Sequence, residues 1–263
     1  MSVKPYSALI HQSVISTADA TRVYGGNRRL AVQMLDYLRR KEFLVQVRRG
    51  LYVPGPAVNP NWRSDWDPYL LAMRVRPGSI IAFHSAFVVH GVAHNPTEQT
   101  IHVATGTRFA PFVFEGIRYQ PHVLGARPLK RSSQSLARGG EVIRATRPEW
   151  TVAMSARLLG PGGGFEEVFQ SAAGFRRIDM KELLIACENQ KSLGIYNRVG
   201  FLAWLNRRRW RVQPNELAPF RKHLARSPVT FGAGPDGGTY VHEWNLFIPR
   251  SAAGLLGEDY GTN

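Results

Sequence analysis

Cysteine is almost missing from this 263-residue chain: Cys187 stands alone, so no internal disulfide can form, which fits a reducing compartment. It sits inside an apolar-periodic run and reads as a small buried filler rather than a reactive thiol. Long apolar runs are missing as well, none approaching the roughly 18 consecutive residues of a membrane span. Met1 to Ile15 lacks the basic segment, apolar core and small-residue cleavage site of a secretory leader, so the expectation is a soluble cytoplasmic protein. Acid is scarce: 19 Asp and Glu face 34 Lys and Arg, a formal net charge of +15. Lysine is scarce too, six residues against 28 arginines. The planar arginine fork suits bidentate contacts to phosphate or guanine, although a GC-rich genome produces the same bias. The excess is +6 over residues 1–56, +5 over 57–150 and +4 over 151–263, so it is densest at the start. Such a distribution fits a polyanionic partner.

The chain is long enough for a sizeable core, and its 44% apolar content is that of a globular protein. Pro54-Gly55-Pro56 and Asn59-Pro60-Asn61 are turn chemistry and predict a boundary that separates a domain of residues 1–56 from one of residues 57–263. Beyond it, Asp65 and Asp67-Pro68 can open a helix through Met73, and Ser79 to Phe83 reads as a strand. A short helix from Ser85 to His90 is stopped by Gly91. Thr100 to Ala104 and Ile117 to Gln120 alternate as strands do, and Pro111 to Phe114 can add another. From Pro148 the period turns helical, with helices expected over Pro148 to Leu159, Phe165 to Ala173, Asp179 to Asn189, Ile195 to Arg208 and Pro214 to Leu224. Gly162-Gly163-Gly164 lacks the Gly-Lys-Ser/Thr ending of a phosphate-binding loop and reads as a linker. Trp244 to Ile248 is an apolar run able to return to a sheet. The fold class expected is α+β: an N-terminal winged helix-turn-helix, a mixed α/β segment with strands to about residue 147, then a mainly helical region.

The first 56 residues carry the sharpest pattern. Ser16 followed by Asp19 resembles a capping box and starts a helix from Thr17 to Tyr24. Gly25-Gly26-Asn27 makes a tight turn, and Asn27 is a good N-cap for a second helix running to about Lys41. Leu30, Ala31, Met34, Leu35 and Leu38 recur at spacings of three and four and are expected to face inward. Arg28, Arg29, Val32, Gln33 and Asp36 remain on the outer face near the N-terminal end. A recognition helix needs its reading groups there, because its first turns enter the major groove and its dipole favours phosphate. Two β-rich segments, Phe43 to Val47 and Leu51 to Val53, flank Arg48-Arg49-Gly50, where Gly50 can take a positive φ. The result is a hairpin of the kind called a wing, with Arg48 and Arg49 at its tip. The DNA-binding residues expected are Asn27, Arg28, Arg29, Val32, Gln33, Arg48 and Arg49. A plain helix pair and hairpin with a solvated basic face is the competing reading.

The short helix, the recognition helix and the Arg-Arg-Gly-Leu-Tyr wing (Arg48 to Tyr52) come first. Next come His84-Ser85-Ala86-Phe87-Val88-Val89-His90-Gly91 and Thr100-Ile101-His102-Val103. In this order the chain resembles, over about residues 12 to 190, the antitoxins of type IV toxin-antitoxin systems of the abortive-infection E (AbiE) class. It departs from their pattern at Glu149-Trp150-Thr151-Val152-Ala153-Met154, where an arginine and an acid are replaced. The resemblance implies a repressor that binds inverted repeats in its own promoter. It also implies a C-terminal region that neutralises a nucleotidyltransferase-like toxin without a stable complex, and two copies of the reading helix on DNA, whether from a preformed dimer or from monomers meeting there. A plain winged-helix regulator without the antitoxin role is the alternative.

Enzyme readings are weaker, and the expectation is a non-enzyme that needs no cofactor or metal. His84, His90 and His94 have no local carboxylate or cysteine, and Gly91 ends the helix that could align His90 with His94. The adjacent Glu166 and Glu167 at a helix start read as dipole partners. A metal-dependent nuclease, which needs several carboxylates about a metal, is the most concrete enzyme alternative. A second basic patch, Arg207, Arg208, Arg209 and Arg211, follows an apolar helix; it either complements the helix dipole or contacts nucleic acid or an acidic partner.

Overall fold

The computed structural model describes residues 7–10, 12–62, 66–97 and 99–256, and within them the protein is a mixture of helices and sheets of the α+β kind. Asp65, expected to help open a helix, lies outside the described residues. Contacts gather the chain into two compact units. The first draws on Met1–Ile80, Gln99–Val123 and Leu136–Arg144; the second on Ile81–Glu98, Leu124–Ser135 and Ala145–Asn263. Residues 1–56 thus share their unit with three later segments, and the chain passes between the units more than once. No helix among the described residues is long and apolar enough to cross a membrane.

The chain opens with α1 (Ser7–Ile10), β1 (Ile15–Ser16), α2 (Thr17–Val23), α3 (Arg28–Arg40), β2 (Leu44–Arg48) and β3 (Leu51–Pro54). The start of α2 is a full capping box: Ser16 Oγ accepts from the Asp19 amide at 3.1 Å, and the Ser16 amide donates to Asp19 Oδ2 at 2.9 Å. The three strands pair antiparallel in the order β1-β3-β2, with Ile15 opposite Tyr52 and Val45 opposite Val53. Gly50 turns the hairpin at φ +79° and its carbonyl accepts from the Thr17 amide at 3.0 Å, tying the turn to the start of α2. Leu9, Ile15, Ala20, Ala31, Leu35, Leu38 and Leu44 close one small core beneath these elements. Each fully buried leucine there contributes about 1.5 to 3 kcal/mol.

Next, α4 (Pro68–Arg74) begins at Asp67, whose carboxylate accepts from the Tyr69 and Leu70 amides at 2.8 and 3.3 Å, with Pro68 in the first turn. The strand expected over Ser79 to Phe83 contracts to β4 (Ile80–Ile81), because Phe83 takes φ +56° and opens α5 (His84–Val89) instead. In the first unit β5 (Thr100–Thr105) runs parallel to β7 (Ile117–Val123), and β6 (Phe112–Phe114) pairs antiparallel with β7. Helix α6 (Ala126–Ser132) and strands β8 (Ser133–Arg138) and β9 (Glu141–Thr146) follow. These three went unread in the sequence: their apolar content is low, and the alternation is confined to exposed Val142, buried Ile143 and buried Ala145.

The helical region of the second unit comprises α7 (Pro148–Arg157), α8 (Leu159–Gly162), α9 (Phe165–Gly174), α10 (Met180–Gln190), α11 (Ile195–Leu205), α12 (Arg207–Trp210) and α13 (Pro214–Lys222). A closing sheet holds β10 (Val229–Thr230), β11 (Gly238–Val241) and β12 (Leu246–Pro249) in the order β10-β12-β11. The apolar run from Trp244 does return to this sheet as β12. Trp150, Phe201 and Trp244 are fully buried in the unit's core, and Cys187 lies among them with its thiol pushed well up by burial. Gly200 on α11 has no room for a side chain: a Cβ there would stand 2.2 Å from the Trp244 ring.

Candidate nucleic-acid interface

Helix α3 owes its start to Asn27, whose Oδ1 accepts from the Leu30 amide at 3.0 Å. Asn27, Arg28, Arg29, Val32 and Gln33 are all exposed, Val32 at 49%, so the first turns present two guanidiniums, an amide and an apolar contact to solvent. Unpaired backbone N–H groups and the helix dipole add positive potential at the same end.

One residue of α3 departs from expectation. Leu30 is 40% exposed rather than inward-facing. At roughly 100° per residue it stands about 100° round the axis from Ala31, outside the stripe that Ala31, Leu35 and Leu38 bury. Asp36 keeps to the outer face, paired locally with Arg39 at 3.0 Å and with Arg40, and those hydrogen bonds hold its carboxyl below the usual range.

The hairpin separates its two arginines. Arg49 is exposed at the turn, as the sequence suggests. Arg48 does not sit free at the tip. A register shift between Gln46 and Arg48 re-aims it, and its guanidinium lies over Phe112 at 5.0 Å and Phe109 at 5.8 Å. Its Nη1 is buried without a hydrogen-bond partner, and burial together with the Arg76 charge lowers its pKa.

These elements line a cleft of about 740 Å³ into which Arg22 of α2, Arg28 of α3, Arg48, Arg49, Arg74 and Arg76 all contribute. Among the described lining residues Asp19 is the one carboxylate, and it is engaged by the Ser16 amide and by Arg22 at 3.6 Å. Six cations against one occupied acid give the concavity a strongly positive potential. Sequence reading missed Arg22, Arg74 and Arg76. Arg22 closes a short helix, and Arg74 and Arg76 lie some 25 residues beyond the hairpin; only the packing of α4's end beside it brings them in.

The second basic patch is divided in the structure. Arg207 is committed to Trp204, over whose ring it lies at 5.0 Å while donating to the Trp204 carbonyl at 2.9 Å. Arg209 donates to the Ala173 carbonyl, and Arg209 and Arg211 line a separate groove of the second unit. Arg207 and Arg209 are thus committed to different neighbours.

The histidines are taken up by the fold. His90 Nε2 donates to the Thr146 carbonyl at 2.8 Å, and His84 Nε2 donates to the Asn95 carbonyl at 3.0 Å and faces Glu167 at 3.3 Å. Glu167 also accepts from the His94 and Asn95 amides at 3.0 and 2.9 Å, fixing the segment after α5. On β5 and β7, His102 Nδ1 and His122 Nε2 share a hydrogen bond of 3.0 Å, and burial holds His122 down to about 4. No group of three or more His, Cys, Asp or Glu among the described residues is placed to hold a metal ion.

No protein-family model matches the chain, and no curated protein matches it. It is similar to a solved structure described as the crystal structure of RV2827C protein from Mycobacterium tuberculosis, with a TM-score of 0.59 at 16% identity, over 92% of this chain and 88% of the other. At that identity the likeness concerns the fold alone.

Proposed function

We propose that the protein binds double-stranded DNA through a winged helix-turn-helix formed by α2, α3 and the β2–β3 hairpin, and that it represses transcription of its own operon. The observation that carries this reading is the arginine-lined cleft between the exposed first turns of α3 and the hairpin. Arg28, Arg29, Val32 and Gln33 on α3 read base edges, and Arg49 on the hairpin holds phosphate. Arg48 acts from the cleft wall, where its stacking on Phe112 orients it. Inverted repeats require two copies of the reading helix, with half-sites about 10 base pairs or a multiple apart. The test is an anisotropy titration with the region upstream of the gene, against competitor DNA at low and high salt. Retention that is specific, and lost in Arg28→Ala, supports the reading; no retention at low ionic strength ends it.

The AbiE-like order of motifs further supports a type IV antitoxin role, in which the protein neutralises a nucleotidyltransferase-like toxin without a lasting complex. Co-expression with a nucleotidyltransferase-like gene encoded alongside separates this from a plain regulator. Restored growth supports the antitoxin role. Unrelieved toxicity, or no such neighbouring gene, leaves the repressor.

A further inference from the structure

We propose that a groove in the second unit is a binding site for a ligand carrying adjacent phosphate groups. The groove has a volume of about 1200 Å³ and lies where the chain between α9 and α10 meets α12 and the start of α13. Arg176, Arg177, Lys181, Arg209 and Arg211 line it, all of them exposed. Arg209 is anchored on the Ala173 carbonyl. Among the described residues the side chains of Arg176, Arg177, Lys181 and Arg211 have no hydrogen bond or ion pair.

Acids line the groove too, and each has a structural task. Glu149 is only 9% exposed and accepts from the Asp179 amide at 3.0 Å. Asp179 caps α10 through the Lys181 and Glu182 amides at 2.9 and 3.1 Å, and Glu216 accepts from the Gln213 amide at 2.8 Å. Their acceptor capacity is turned to helix starts, while the five cations are exposed. An independent observation points the same way. Trp210, which also lines the groove, is 2% exposed and its indole Nε1 has no hydrogen-bond partner. A buried donor without an acceptor costs stability, and because Trp210 lines the groove its indole reports on what binds there.

The chemistry favours phosphate. Planar guanidiniums match phosphate oxygens two at a time, and cations supplied by separate stretches of the chain suit a run of anionic groups rather than one. No exposed aromatic ring is among the described lining residues to stack a base, so recognition rests on the phosphates. Two sources share that chemistry: a free polyphosphate, such as the tail of a nucleoside triphosphate, and the backbone of a nucleic-acid strand.

The experiment titrates the full chain at low ionic strength with inorganic tripolyphosphate and, separately, with a short homothymidine strand. It follows affinity by calorimetry and the indole N–H resonance of Trp210, assigned with Trp210→Phe. Neutralising the groove with Arg176→Gln, Arg177→Gln and Arg211→Gln is expected to weaken binding roughly tenfold, as three partly screened charge contacts allow. The charge-matched control Lys130→Gln, Arg157→Gln and Lys222→Gln is expected to change it less than about twofold. The single Arg211→Gln serves if the triple variant loses its fold. Tighter binding of tripolyphosphate assigns the free ligand, and tighter binding of the strand assigns the backbone. Equal losses in groove and control variants, an unmoved Trp210 resonance, or no binding of either probe overturns the proposal. The outcome is independent of operator binding, which involves different residues.

Discussion

Two concavities of this protein are rich in arginine, and they treat their charges differently. In the first unit the cleft beside α3 sets six arginines against Asp19, and that acid is consumed by a capping box. In the second unit the groove beside α10 and α12 mixes five cations with Glu149, Asp179 and Glu216, all three serving backbone amides. The contrast teaches that counting charges does not rank anion sites. What matters is whether each acid is spent on the fold, and whether each cation is spent on a ring or a carbonyl, as Arg48 and Arg207 are.

The sharpest way to break the comparison is to remove charges whose tasks differ. Arg28→Ala is expected to cost about 1 to 3 kcal/mol in discrimination between operator and altered half-sites while leaving the melting temperature unchanged. Equal weakening on all sequences would mean that Arg28 holds phosphate instead. Glu149→Ala is expected to do the reverse, leaving operator binding intact. It should destabilise the second unit by about 1 to 3 kcal/mol, since the part-buried bond from the Asp179 amide to the buried Glu149 carboxylate is lost; denaturant unfolding measures this.

Acid sharpens the picture further. His122 is held at about 4 against an ordinary 6.5, so between those values the unfolded chain takes up a proton that the folded chain refuses. Stability is therefore full above about pH 6.5 and declines as the pH falls to about 4. After allowance for the partial exposure of the ring, the loss is about 1 to 2 kcal/mol. His90, also lowered by burial, adds to the decline. His122→Gln should flatten the slope of melting temperature against pH, and an unchanged slope would assign the acid sensitivity elsewhere.

The smallest effects distinguish the neighbours Arg48 and Arg49. Arg48→Ala is expected to lower stability by about 0.5 to 1 kcal/mol through lost stacking on Phe112, as well as weakening DNA binding. Arg49→Ala should leave stability alone, weaken binding to all sequences alike and reduce the salt slope by about one. Matching behaviour of the two variants would mean that the register shift in the hairpin has no consequence.

Much of the N-terminal region was legible because its signals are local. Ser16 with Asp19, Asn27 at a helix start and Gly50 in a turn each act through hydrogen bonds or dihedral preferences that span a few residues. The exposed set from Asn27 to Gln33 followed from the same periodicity. Leu30 was misplaced because a buried stripe can be narrower than the apolar one, and its width is set by the partner rather than by the helix. In the middle of the chain, α6, β8 and β9 were not legible. Strands with few apolar residues are held by pairings to distant partners, such as Ile81 opposite Ala145.

By itself, then, the sequence determined the caps, the turns, the helical periods and the arginine surplus, because each depends on neighbours along the chain. Tertiary structure alone decided which arginines share a concavity: Arg74 and Arg76 joined the cleft, Arg48 turned onto two rings, and the run from Arg207 to Arg211 was divided between a tryptophan and a groove. Long flexible side chains carry no sequence-local preference for one partner over another. Their fate is settled by surfaces that come together only when the chain has folded.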